Sequence, residues 1–149
     1  MPDKRAMSAE AHRDGKLPIL VLVVDDEPLI RWSLTETLTA CGCEVVEAGN
    51  APSAIDRLTR GSRHIDVVLL DYHLPDSRDL ALLTTIKRLS PATHVLMMTA
   101  FMTADVAARA LELGACQVVN KPVELEAVAA WVVKTALTPD TAPPAIRGT

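Results

Sequence analysis

The chain of 149 residues lacks a long Lys/Arg block, and its formal net charge is −4. That argues against bulk nucleic-acid binding. It lacks any stretch near the ~18 consecutive apolar residues of a membrane span. The first 16 residues, polar and mixed in charge, lack the apolar core of a signal peptide. Cysteine is scarce: Cys41, Cys43 and Cys116, an odd number with no Cys/His ligand spacing. Reduced, buried thiols are the expectation, and the Cys41-Gly42-Cys43 pair has no further ligands in view for a redox or metal element. Together these absences read as a cytoplasmic protein.

What is there is ordinary for one globular domain. Apolar residues make up 49% of the chain and charged residues 23%, enough for one core and little room for a second. Residues 1–16 and 138–149, the latter with Pro139, Pro143 and Pro144, read as loose tails around a domain at 17–137. Within it, short apolar runs alternate with helical stripes. Strands are expected at Ile19–Val24, Glu44–Ala48, Asp66–Leu70, Val95–Met98 and Ala115–Val119. Pro28 opens the first helix, with Ile30, Leu34, Leu38 and Cys41 inward and Gly42 at its end. Asn50 and Thr103 cap the second and fourth helices. Leu82, Leu83, Ile86 and Leu89 stripe the third. Leu125, Val128, Ala129, Val132 and Ala136 stripe the fifth.

Five strand–helix units imply an α/β fold with a parallel sheet and right-handed crossovers. Such sheets bind ligands outside the carboxyl ends of their strands. At those ends stand Asp25 and Asp26, Asp71, Thr99 and Lys121. Three carboxylates in one crevice repel each other and call for a cation, and an all-oxygen donor set suits Mg²⁺. A lysine and a hydroxyl beside such a cation make a phosphoryl site, in which one carboxylate acts as nucleophile and forms an aspartyl phosphate. Taken singly, each residue has a plainer reading: a turn Asp, an acidic first helical turn, a Thr cap, a solvated lysine.

Four segments carry a resemblance in order and at family spacing. They are Val23-Val24-Asp25-Asp26-Glu27-Pro28, Leu69-Leu70-Asp71-Tyr72-His73-Leu74-Pro75-Asp76, Met98-Thr99-Ala100 and Val119-Asn120-Lys121-Pro122. Over about Leu17 to Leu137 the chain resembles the receiver domain of bacterial two-component response regulators. The resemblance implies a doubly wound, five-stranded flavodoxin-like or CheY-like sheet in strand order 2-1-3-4-5. It implies Asp71 as phosphoacceptor, Asp26 as a direct Mg²⁺ ligand, Asp25 acting mostly through water, and the His73 backbone carbonyl as a further ligand. Thr99 would bind a phosphoryl oxygen, and Lys121 would pair with the phosphoryl group across a bond to Pro122 that is commonly cis. The donor would be a phosphohistidine on a sensor histidine kinase or histidine phosphotransfer domain. Such a protein is a signalling phosphoacceptor, not an enzyme with an external substrate.

The chain departs from the family pattern at three places. Arg78-Asp79 stands where Asp-Gly is common, and Val118 stands where a switching aromatic is usual. The chain also ends in a Pro-containing tail where many regulators continue into a DNA-binding output domain. Output is then expected through protein contacts, or the chain is a receiver fragment of a larger DNA-binding regulator. Val118 keeps open a receiver-fold module that binds partners irrespective of phosphorylation. A phosphohydrolase on a similar sheet is the third reading, although Asp25-Asp26-Glu27 is not the Asp-x-Asp motif of the haloacid-dehalogenase-like enzymes.

Trp32 is expected to face outward on the first helix, as a docking residue for the phosphodonor. Leu111 on the fourth helix and Trp131 on the fifth are expected to form a partner or homodimer surface with the neighbouring alanines. Phe101 and His73 flank the site, and a bulky Phe101 should hinder water and lengthen the life of the phosphoryl group.

Overall fold

The computed structural model describes residues 17–76 and 80–137. The two expected tails and the Arg78-Asp79 departure lie outside the described residues.

The strands are β1 (Leu20–Val24), β2 (Glu44–Ala48), β3 (Val67–Asp71), β4 (His94–Thr99) and β5 (Gln117–Asn120). Alternating with them are α1 (Pro28–Ala40), α2 (Ala51–Arg60), α3 (Ala81–Leu89), α4 (Ala104–Glu112) and α5 (Leu125–Leu137). All strand pairs are parallel and the order is β2-β1-β3-β4-β5. β1 lies inside the sheet, β2 forms the edge beside it, and the chain then crosses over β1 and builds towards the other edge. The strand order therefore reverses between β1 and β3, and a crevice opens at their carboxyl ends.

Both faces of the sheet are covered, which is why its strands read as continuous apolar runs. Leu22, Val24, Val68, Leu70, Val95 and Met97 point to one side and pack with residues of α2, α3 and α4. Val21, Val23, Leu69, Leu96 and Met98 point to the other and pack with α1 and α5. Each fully buried Leu or Val contributes roughly 1.5–3 kcal/mol, so the two layers fix the strand register and hence the strand ends.

The helix signals act as their chemistry requires. Asn50 Oδ1 accepts from the Ser53 amide at 2.9 Å, and Thr103 Oγ1 accepts from the Val106 amide at 3.1 Å. Pro28 opens α1, and Gly42 follows its end at φ +88°. The fifth strand starts two residues later than the apolar run suggests. Gly114 sits at φ +110° and the Ala115 amide still bonds back to Ala110 of α4, so the chain is only then free to pair.

One expectation is corrected. Trp131 does not face outward: it is 3% exposed, within the apolar layer of α1 and α5. The reason lies in α5, which buries Val128, Ala129, Trp131, Val132, Val133, Thr135 and Ala136. That is far more than one stripe, so the face opposite Val132 is not solvent. Trp32 and Leu111 are exposed, at 59% and 50%.

Candidate functional site

The five rim residues converge. Asp25 follows β1 and is fully buried, while Asp26 beside it is exposed. Asp71 and Thr99 are the last residues of β3 and β4, 3% and 0% exposed. Lys121 follows β5, tied in by its amide to the Thr99 carbonyl at 2.8 Å, and the Lys121-Pro122 bond is cis. Ladder-like bonds at the rim hold the strand ends in place: Asp25 N–H donates to the Ala48 carbonyl at 3.1 Å, and Tyr72 N–H to the Met98 carbonyl at 2.8 Å.

One carboxylate oxygen or more from each of Asp25, Asp26 and Asp71 lies within 4.8 Å of the others. At an effective dielectric of about 20, two like charges at that separation repel by roughly 3–4 kcal/mol. Lys121 offsets part of this. Its Nζ lies 2.7 Å from Asp25 Oδ2, 3.3 Å from Asp71 Oδ1 and 3.6 Å from Glu27 Oε1. Burial alone would lower the lysine pKa. The hydrogen bond and charge of Asp25, then those of Asp71, outweigh it and leave Lys121 above its usual value. Asp71 is displaced upward as well. Burial is the main cause and the Asp25 charge adds to it, against the His73 amide (3.1 Å to Oδ1) and Lys121. Asp71 thus remains the strained member of the group even with its lysine in place.

The donor chemistry fits a hard divalent cation: the carboxylates are oxygen donors only, and among the described residues no thiol or imidazole belongs to the cluster. The Thr99 hydroxyl oxygen accepts from the Phe101 amide at 3.2 Å, which leaves its own hydrogen for a further acceptor.

At the mouth, His73 and Phe101 are exposed, the latter at 76%, with rings edge to face 6.2 Å apart. Tyr72 stacks edge-on against His73 at 4.8 Å. Val118 is buried at 8% in the layer beneath α4, with Ala110 and the half-buried Ala107 in the same layer. Trp32, Leu111 and Trp131 stand apart from this cluster.

Sequence reasoning missed three residues. Arg31 on α1 donates through Nη1 to the Asp25 carbonyl at 2.6 Å and through Nε to Glu47 Oε1 at 3.2 Å. Glu47 on β2 is its anchor. Asp76 Oδ1 accepts from the Ala51 amide at 3.1 Å, which ties the loop after β3 to the start of α2. A charge on a helix or an edge strand reads as solvated, so no spacing signal marked Arg31 or Glu47. An Asp just after Pro75 is a local turn signal, but a bond to a distant helix leaves no trace in the pattern.

Known proteins share this arrangement. Residues 21–132 match the family model of the response regulator receiver domain. The DNA-binding transcriptional regulator NtrC of Klebsiella pneumoniae is 38% identical over 112 residues, covering 74% of this chain and 23% of that protein. The chain thus spans about a quarter of the length of that relative. Among solved structures, the beryllofluoride-activated NtrC4 receiver domain dimer superposes with a TM-score of 0.71 at 30% identity, covering 79% of this chain and 95% of that one. A response regulator from Burkholderia pseudomallei, with a phosphorylated aspartic acid and a calcium ion, superposes with a TM-score of 0.70 at 25% identity, covering 79% and 68%. Together with the strand order and the acidic crevice, these matches establish that the chain belongs to the response regulator receiver family.

Proposed function

We propose that Asp71 takes the phosphoryl group and that Asp25, Asp26 and Asp71 hold Mg²⁺, with the His73 backbone carbonyl as a further ligand. The single observation that carries this reading is the convergence of three carboxylates within 4.8 Å around a lysine shared by two of them. An Asp71 oxygen attacks phosphorus, and the P–N bond of a phosphohistidine on a sensor kinase or phosphotransfer domain breaks. Bound Mg²⁺ would neutralise charge on the phosphoryl oxygens. Lys121 is close enough to Asp71 to pair with those oxygens, and the Thr99 hydroxyl has a hydrogen to give them. The phosphorylated aspartate and divalent cation of the Burkholderia pseudomallei regulator support the same assignment here.

Donor docking is assigned to α1, whose exposed Leu29 and Trp32 lie just beyond the acidic turn. A homodimer is supported by the dimeric NtrC4 receiver, and the exposed Leu111 supports placing it at α4 and α5. The NtrC relative supports a role as the receiver of a DNA-binding regulator, and we assign no nucleic-acid contact to the receiver itself. Residues 17–137 are the receiver unit, and a cytoplasmic location follows from that role. Among the described residues no helix is long and apolar enough to cross a membrane.

One observation favours the phosphorylation-independent module: Val118 supplies no ring to swing when Thr99 moves. The deciding experiment treats the protein with acetyl phosphate and Mg²⁺ and measures its intact mass. A phosphoryl adduct in the wild type that is absent in Asp71→Asn supports the switch. No adduct in the wild type would sink it.

A further inference from the structure

Arg31 is the one cation bound directly to the backbone of the acidic turn among the described contacts, and its geometry asks for a purpose. Its Nη1 meets the Asp25 carbonyl at 2.6 Å, and its Nε meets Glu47 at 3.2 Å. Its side chain is 21% exposed. The planar guanidinium therefore bridges the turn between β1 and α1 to the neighbouring strand β2. A third feature completes the bracket. Gly49, just past β2, faces the guanidinium so closely that a Cβ there would lie 3.1 Å from Nη1. Gly49 is not at a positive φ, so its backbone does not demand glycine. The room beside Arg31 is what its missing side chain provides.

The turn it holds is the one that needs holding. Asp25 and Asp26 are adjacent in sequence, yet both must turn a carboxylate toward Asp71 against mutual repulsion. Inside the turn the Glu27 amide donates to Asp25 Oδ1 at 2.9 Å, and Lys121 holds Oδ2 at 2.7 Å. These bonds fix the Asp25 side chain. The Arg31 bond fixes its backbone, and with it the starting point of Asp26, whose side chain is exposed.

We infer that Arg31, seated by Glu47 and given room by Gly49, is a positioning residue that sets the divalent-cation affinity of the acidic pocket. This rests on the reading of that pocket as a cation site. Electrostatics alone predicts the opposite sign. A positive group next to three carboxylates competes with a cation, so removing it should tighten binding. A positioning role predicts weakening, as loss of outer-shell partners generally does. The two accounts therefore diverge in direction.

The test is Mg²⁺ titration of the full chain by calorimetry, with thermal midpoints in EDTA as the control for folding. Arg31→Gln removes the charge and the second anchor. Arg31→Lys keeps the charge but cannot bridge two acceptors in one plane. Gly49→Ala keeps every charge and only crowds Nη1. The dissociation constant should rise about tenfold in Arg31→Gln, the low end of outer-shell effects. Arg31→Lys should show a smaller rise and Gly49→Ala the smallest, the latter with its midpoint in EDTA unchanged. Tighter or unaltered binding in Arg31→Gln, or unaltered binding in both Arg31→Lys and Gly49→Ala, overturns the inference. So does weakening in step with a general fall of the EDTA midpoints. If the wild type itself binds no Mg²⁺, the cation-site reading fails first and this inference with it.

Discussion

The two ends of the same sheet are built on opposite terms. At the amino ends, polar groups are used up on each other. Asp66 Oδ2 accepts from the Leu20 amide at 2.9 Å, and Arg63 bonds Glu44 and the Pro18 carbonyl, each at 2.6 Å. Thr93, fully buried, donates to the Ile65 carbonyl at 2.8 Å and meets the Ser90 hydroxyl at 2.6 Å. Lys87 Nζ closes the turn before β4 on the Pro91 and Thr93 carbonyls, at 2.8 Å each. At the carboxyl ends, like charges are crowded together and one lysine is shared between Asp25 and Asp71. The first arrangement spends its hydrogen-bonding capacity on stability. The second keeps strain in reserve at the place where a ligand would relieve it.

The largest effect should come from breaking that shared contact. Lys121→Ala leaves Asp25 and Asp71 buried without their ammonium, and removing one partner of a buried ion pair costs about 3–5 kcal/mol. In EDTA at pH 7, chemical denaturation should show a loss near the low end of that range, since burial and the Asp25 charge already bias Asp71 toward its neutral form. Mg²⁺ should restore part of it, because a cation serves the same carboxylates, while phosphoryl adduct formation should stay slow. A loss that Mg²⁺ leaves untouched would mean that the lysine is structural in the manner of the amino end.

Next in size is the matching change at the other end. Thr93→Val keeps the shape but strands the Ile65 carbonyl and the Ser90 hydroxyl. Unsatisfied buried groups cost about 1–3 kcal/mol. Stability should fall by that much with no change in adduct rate or Mg²⁺ affinity. A slowed adduct would show that the two ends are not independent.

Why the sequence exposes one end better than the other follows from the same contrast. The carboxyl-end residues stop apolar runs abruptly. Val24 to Asp25, Leu70 to Asp71 and Met98 to Thr99 are each an apolar residue followed by a polar one at a strand end, which marks the site in the sequence itself. The fold was legible for a related reason, since strands covered on both faces leave unbroken apolar runs. The bracket of Arg31, Glu47 and Gly49 was not legible, because it joins α1 to β2 across the sheet edge through groups that look like ordinary surface charge. Trp131 escapes the pattern for a different reason: a single stripe describes a helix with one buried face, whereas α5 is buried round most of its circumference. The start of β5 is blurred by Gly114, which lengthens the turn between α4 and the strand.

A third prediction uses pH against the amino end. Cys43 stands just before β2, and burial, then Cys41 and Asp66, push its thiol from 9.0 up to about 12. The folded chain therefore binds a proton between those values that the unfolded chain has released. By linkage this contribution is fully present below pH 9 and declines as pH rises toward 12. By pH 10 about 1.4 kcal/mol of it has been lost. Denaturation curves for the wild type and Cys43→Ala should thus diverge in slope above pH 9, the wild type falling faster. Parallel curves would show that the thiol is not confined as described.

The smallest effect concerns the mouth of the carboxyl end. Phe101 was expected to shield the site from water, yet its side chain is 76% exposed and touches the rim mainly through the edge of His73. A ring so placed excludes water from one side only. Phe101→Ser should shorten the life of the phosphoryl adduct about two- to threefold, which corresponds to roughly 0.5 kcal/mol in the barrier, with no change in Mg²⁺ affinity or stability. The check is the decay of the intact-mass adduct after the phosphodonor is removed, compared with His73→Ala. If His73 acts as a base toward the attacking water, its removal should lengthen the lifetime while loss of Phe101 shortens it. If the two changes shift the lifetime in the same direction, the paired rings act as one steric cover, and the carboxyl end is shielded by the mouth as well as strained by its charges.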